Sequence, residues 1–186
     1  MRYFVSFLIA IGLIVLVFIL ILKSFGGGKS ALQSQAKPLV DYSNTNVVAE
    51  FDIQGPVVYD QSYQEIHINV DQQQTQINIQ QGYQGEIVNT QAFPSNQNAY
   101  AVFLRSLDLL GFTEGNPDPA DTDDRGFCPF GERYVYQLVN GSQTIQHYWA
   151  TSCGGQGTFK GNVSSVNTLF EAQIPNYGQL TSSIVL

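Results

Sequence analysis

The sequence predicts an α+β protein in which a single N-terminal transmembrane helix carries one small extracytoplasmic domain of antiparallel strands, two short helices and one disulfide. Three observations carry that prediction. Residues Tyr3 to Leu22 hold no charged side chain. Several later segments alternate apolar and polar residues, the pattern of half-buried strands, while two others repeat at helical spacing. Cys128 and Cys153, the chain's two cysteines, flank a strong hairpin signal.

In the uncharged run, sixteen of the twenty residues are Leu, Ile, Val or Phe. Twenty helical residues span about 30 Å, the thickness of a bilayer's hydrocarbon core. That composition favours insertion by roughly 5–10 kcal/mol. A cleaved secretory signal needs a shorter run with a small-x-small site directly behind it. Here the run ends at Lys23, and the nearest such triplet, Ser34-Gln35-Ala36, lies well beyond it. No cysteine sits near enough for a lipoprotein-type signal, and no polar face marks a buried core helix. Residues 1–22 are therefore read as a signal-anchor. Residues 23–45 follow as a flexible stalk, rich in Gly and Ser at its start and without period, and 46–186 as the extracytoplasmic domain.

Charge divides along the same line. Residues 1–37 carry Arg2, Lys23, Lys29 and Lys37 with no acid; the remainder sets four basic residues against all fifteen acids, for a net −7 over the chain. Such an acidic domain repels phosphate backbones, so nucleic acid is excluded as a partner class. Charged residues make up only 12% of the chain, about half the usual share, and Gln and Asn supply much of the polar surface. The positive-inside count is close to a tie, because three lysines follow the run and the α-amino group and Arg2 precede it. The placement outside the cytoplasm rests on the paired cysteines, which point to an oxidising compartment.

The first strand expected is the alternation of Ala49, Phe51 and Ile53, closed by Gly55-Pro56. Ile66, Ile68 and Val70, then Thr75, Ile77 and Ile79, form the next two. A loop from Asp71 to Gln74 pairs Val70 with Thr75, Ile68 with Ile77 and Ile66 with Ile79, so every apolar residue falls on one face. A short strand covers Glu86 to Asn89. Tyr100, Phe103, Leu104, Leu107 and Leu110 then change to helical spacing, with Ser95 or Asn96 as cap and Gly111-Phe112 as a left-handed stop. A shorter helix from Val163 to about Gln173 has Asn162 as cap and Pro175 as stop.

Between those helices, Asn140-Gly141 separates two strand-like runs. As the two central residues of a tight turn, they would place Tyr136 opposite Ile145, Tyr134 opposite His147 and Glu132 opposite Trp149. The same register brings Cys128 opposite Cys153, although Pro129 and Gly131 break the ladder before them. The disulfide they form is expected to stabilise the fold by about 3–4 kcal/mol. One face would carry Phe130, Tyr134, Tyr136, Leu138, Ile145, His147 and Trp149, and this is the expected core side.

Candidate chemistry is sparse. Asp121, Asp123, Gly126 and Glu132 fall at the first, third, sixth and twelfth positions of a calcium-loop pattern, but Arg125 occupies the fifth. Calcium is thus the one cofactor considered, against the plainer reading of a solvated acidic loop. Glu132 and His147, on one predicted face beside Tyr134, make an acid–base pair for a hydrolase. No HExxH, GxSxG, P-loop or dinucleotide fingerprint appears. The expected function is that of a membrane-anchored, non-enzymatic binding module at the cell surface, with an envelope protein or glycan as partner. The alternatives are an envelope hydrolase, a protease inhibitor presenting the Gly111–Gly126 loop, or a weak calcium-binding surface domain.

Overall fold

The computed structural model describes residues 37–186. The expected transmembrane helix and the stalk up to residue 36 lie outside them. Among the described residues no helix is long and apolar enough to cross a membrane.

Six strands form one antiparallel sheet: β1 (Val47–Gln54), β2 (Gln64–Val70), β3 (Gln74–Gln81), β4 (Glu86–Pro94), β5 (Arg133–Asn140) and β6 (Gln143–Thr151), in the order β4-β3-β2-β1-β5-β6. The first strand is therefore central, with a meander on one side and a hairpin on the other. Helices α1 (Gln97–Leu109) and α2 (Val163–Glu171) contribute to the core, and a short α3 (Tyr177–Leu180) follows. Alternation decides which side of the sheet is dry. Phe51 pairs with Ile68 and Tyr136, Ile68 with Ile77, and Tyr136 with Tyr148, giving one apolar row across five strands. Phe103, Leu104 and Leu107 of α1 and Val166 and Phe170 of α2 belong to the same core, all buried. Phe51 stacks on Tyr136 at 5.4 Å and meets Phe170 at 5.2 Å, and Phe103 meets Phe170 edge-on at 5.1 Å.

Two tyrosines of this core, Tyr100 and Tyr136, bring their hydroxyls in with partners. Tyr100 donates to the Val47 carbonyl at 2.8 Å and Tyr136 to Asn167 Oδ1 at 2.6 Å. Burial of an unbonded hydroxyl would cost about 1–3 kcal/mol, so these bonds let large rings occupy the interior.

α1 starts and stops as expected, and α2 starts as expected but ends at Glu171, short of the expected Gln173. Asn96 Oδ1 accepts from the Ala99 amide at 3.0 Å, and Asn162 Oδ1 from the Ser165 amide at 3.0 Å. Gly111 takes φ +77°, and the Phe112 amide returns to the Leu107 carbonyl at 3.0 Å, which closes a Schellman cap and buries the Phe112 ring. The β2–β3 register also matches, with Val70 on Thr75, Ile68 on Ile77 and Ile66 on Ile79.

Other expectations are corrected. The ordered fold begins before residue 46, because Leu39–Tyr42 form a 3-10 turn whose Leu39 is buried in the core. β4 runs to Pro94 rather than Asn89, with an irregularity at Val88 that interrupts its alternation. The larger correction is the β5–β6 hairpin. Asn140 pairs with Gln143, so Gly141 and Ser142 form the turn. Positive φ at the first central residue alone, Gly141 at +59°, is the II′ pattern. Ile145 is then left out of the ladder as a bulge between Val139–Thr144 and Leu138–Gln146. Tyr136 consequently faces Tyr148, not Ile145, and Tyr134 faces Ala150, not His147. An odd displacement reverses faces. Tyr148 and Ala150 enter the core, His147 and Trp149 move to the opposite side, and Phe130 lies outside the strand, fully open to solvent.

Phe170 touches Phe51, Phe103 and Phe112, so its truncation removes the contact shared by sheet and helices. Phe170→Ala is expected to cost about 3–5 kcal/mol in urea unfolding. Leu109→Ala, at a position left 87% exposed, should change stability by less than about 0.5 kcal/mol.

Candidate functional site

The connection from α1 to β5, residues 111–132, folds down beside the outer end of the hairpin and is fastened along its length. Near its start it pairs with the segment after β6. Gly115 bridges Phe159, the Asn116 amide donates to the Thr158 carbonyl at 2.8 Å, and the Lys160 amide to the Glu114 carbonyl at 2.8 Å. At its middle, Asp118 caps a 3-10 turn, Pro119–Asp121, by accepting from the Ala120 amide at 3.0 Å. The carbonyl of Asp121 accepts the Trp149 indole N–H at 2.7 Å. Further on, Phe127 tilts against the Trp149 ring at 4.8 Å. The disulfide Cys128–Cys153, with Cα atoms 5.7 Å apart, closes the far end.

These fastenings leave a cleft of about 390 Å³ lined by Asn116, Asp121, Asp123, Phe127, Trp149 and Lys160, with Gln156 to Thr158 completing its wall. Its size falls in the range of small-ligand clefts, about 300–1,000 Å³. Trp149 is 4% exposed and serves as the wall behind Phe127, which is 38% exposed and is the aromatic residue a ligand can reach. The rim supplies two carboxylates, two amides and one ammonium group. Arg125 grips Asp123 through Nε at 2.8 Å and Nη2 at 2.7 Å, and these hydrogen bonds hold the Asp123 carboxyl down at about 2.

The face of the sheet opposite the core holds a second cluster, one that sequence reasoning missed. Asp52 of β1 stands opposite His67 of β2. His67 Nδ1 lies 2.7 Å from Asp52 Oδ1, and Nε2 lies 3.1 Å from Glu65 Oε2. Glu65 also accepts from the Tyr63 hydroxyl, which the Arg133 guanidinium approaches at 3.5 Å. Arg133 in turn faces Asp124 of the loop across 3.6 Å, so the cluster on the sheet is continuous with the loop that builds the cleft. Burial opposes charge on His67, but its hydrogen bonds to Asp52 and Glu65 prevail and push it up to about 10. Burial likewise opposes charge on Glu65, and its bonds to His67 and Tyr63 prevail and hold it below the ordinary value. Glu50, on the same face, is raised by burial and then by Asp52. The alternation of Glu50 with Asp52 and of Glu65 with His67 is visible in the sequence. What joins them is the β1–β2 pairing, which no local pattern specifies.

The residues singled out from sequence are not brought together. Glu132 accepts from the Tyr134 hydroxyl, on the core side of β5. His147 stands opposite Gln137 on the other side, five strand positions or about 16 Å along, with a buried Nε2 that has no hydrogen-bond partner. The expected acid–base pair is therefore not formed, and its cause is the corrected register. Asp121, Asp123 and Glu132 also diverge. Asp121 Oδ2 accepts from Asn116 Nδ2 at 2.7 Å, Asp123 binds Arg125, and Glu132 binds Tyr134. Among the described residues no three His, Cys, Asp or Glu side chains group to hold a metal ion. Arg125 occupies the place of a ligand and takes the carboxylate that would have been its neighbour.

A pH dependence follows from His67 and Glu65. Because the folded protein raises His67 from its ordinary 6.5 to about 10, its contribution is complete below pH 6.5 and is lost as pH rises through 10. Glu65 is depressed, so its contribution is complete above its ordinary 4.5 and is lost as pH falls. Thermal melting is expected to be highest between these limits and to decline from pH 6.5 to 10. In His67→Gln the melting temperature should be lower at pH 6, and the alkaline decline should flatten.

No protein-family model matches the chain, and no curated protein is found to be similar to it.

Proposed function

We propose that the protein is a membrane-anchored, extracytoplasmic binding module that takes a segment of an envelope glycan into the cleft beside the disulfide loop. The observation that carries this reading is the composition of the cleft. An accessible phenyl face, Phe127, sits among Asn116, Asp121, Asp123, Thr158 and Lys160 in a half-open space of about 390 Å³. A sugar ring presents an apolar face and a girdle of hydroxyls. Aromatic stacking suits the first, and carboxylates and amides suit the second. Such a site requires rigid walls, and the disulfide, the Trp149–Asp121 bond and the Gly115–Phe159 bridge provide them. The anchor reading is supported by the twenty uncharged residues Tyr3 to Leu22, and the outward placement by the disulfide.

Two measurements test the proposal. Protease added to intact cells should remove the acidic domain while leaving the N-terminal span in the membrane fraction. A domain that stays protected and fractionates with the cytosol defeats the placement. Titration calorimetry against soluble envelope oligosaccharides should show saturable binding to the full chain in detergent. Phe127→Ala should weaken it about tenfold, a loss of about 1.4 kcal/mol. Binding that is absent, or indifferent to Phe127, rules out the cleft as the site.

A further inference from the structure

We propose that a second copy of this chain docks along the free edge of β4, the two β4 strands pairing antiparallel across a two-fold axis. The sheet has two edges, and the fold treats them differently. Along β6, Gly157 bridges Ala150, the Phe159 amide donates to the Trp149 carbonyl at 3.0 Å, and the Trp149 amide donates to Thr158 Oγ1 at 3.0 Å. The Ile145 bulge interrupts the rest of that edge. β4 carries a bulge of its own at Val88 but has no such cover: among the described residues, nothing pairs with its outer side, and Asn89–Pro94 run without interruption. A strand in that position presents a row of backbone donors and acceptors, and its fitting partner is another strand.

Charge selects which strand. The chain carries a net −7, and most of its surface would repel a copy of itself. β3 and β4 are the exception, since Glu86 is the one ionisable residue in the two strands together. No lysine guards the edge, and Pro94 stands only at its end. Pairing centred on Thr90 sets Asn89 of each copy opposite Gln91 of the other. It also carries the exposed Ile87 and Val88 toward the other copy's Ala92–Pro94 end. Beyond the Val88 irregularity each Glu86 lies at the far end of the pairing, so the two carboxylates stay more than about 20 Å apart. Because each copy has a single open edge, the pairing is isologous and closes at two, forming one twelve-stranded sheet rather than a fibre.

The test uses the full chain in detergent micelles. Sedimentation should show a dimer, and Gln91→Lys, which adds like charges across the contact, should raise the dissociation constant at least tenfold while leaving the far-UV circular dichroism of the folded chain unchanged. Under mild oxidation, Thr90→Cys should form a covalent dimer, and Thr144→Cys on the opposite edge should form far less. A monomer in sedimentation overturns the proposal. So does a dimer insensitive to Gln91→Lys, which places the contact elsewhere in the chain. Crosslinking of Thr90→Cys that is no faster than that of Thr144→Cys also overturns it, and points to a different chain as the natural occupant of the edge.

Discussion

Phe51 is where the sheet and the helices meet, and the fold depends on its being central. It lies on β1, the strand that pairs on both sides, and its ring touches Tyr136 of the neighbouring strand and Phe170 of α2. Side chains alternate along a strand, so placing Phe51 inward sends Glu50 and Asp52 outward without further choice. The same step repeated on β2 sends Glu65 and His67 outward. The polar cluster is thus the reverse side of the core. Its groups sit near enough to compete for solvent, and mutual hydrogen bonding is what makes their partial burial tolerable.

That cluster reaches the cleft through one side chain. Arg133 is 6% exposed, stands at the start of β5, and faces both Tyr63 of the sheet and Asp124 of the loop. The contact with Asp124 is 3.6 Å, and both Arg133 Nε and Asp124 Oδ2 lack a hydrogen-bond partner, so it is an electrostatic contact rather than a bonded pair. The firm attachments of the loop are elsewhere, at Trp149 and at the disulfide. Arg133 sets the potential under the loop more than it holds the loop in place.

Legibility in the sequence followed how local the specifying interaction is. The β2–β3 register could be read because a short loop and strict parity leave one arrangement with the apolar residues together. Asn96, Gly111 and Asn162 announced helix ends through bonds to residues three to five positions away. The cysteine pair needed only that two chain segments come together. The β5–β6 register failed because two small events, a turn shifted by one residue and the bulge at Ile145, each leave the pattern plausible and together reverse a face. The length of β4 was hidden in the same way by Val88. The candidate pair His147 and Glu132 inherited that error. The cleft was invisible for a different reason, since it is assembled by backbone pairing of residues 114–116 with 158–160 and leaves no periodic trace.

One consequence lies in how the loop is tethered. Its two ends are secured, by Gly115 on Phe159 and by Cys128 on Cys153, whereas the stretch between them contributes only the indole contact, Phe127 and surface polar groups. The core beneath it is complete without that stretch. Substitutions at the exposed positions of this stretch that touch neither Trp149 nor Arg133 therefore cost folding little, and the same scaffold can acquire new ligand preferences by drift in them. Selection could diversify recognition here much as it does in the hypervariable loops of immune receptors, with the framework left untouched.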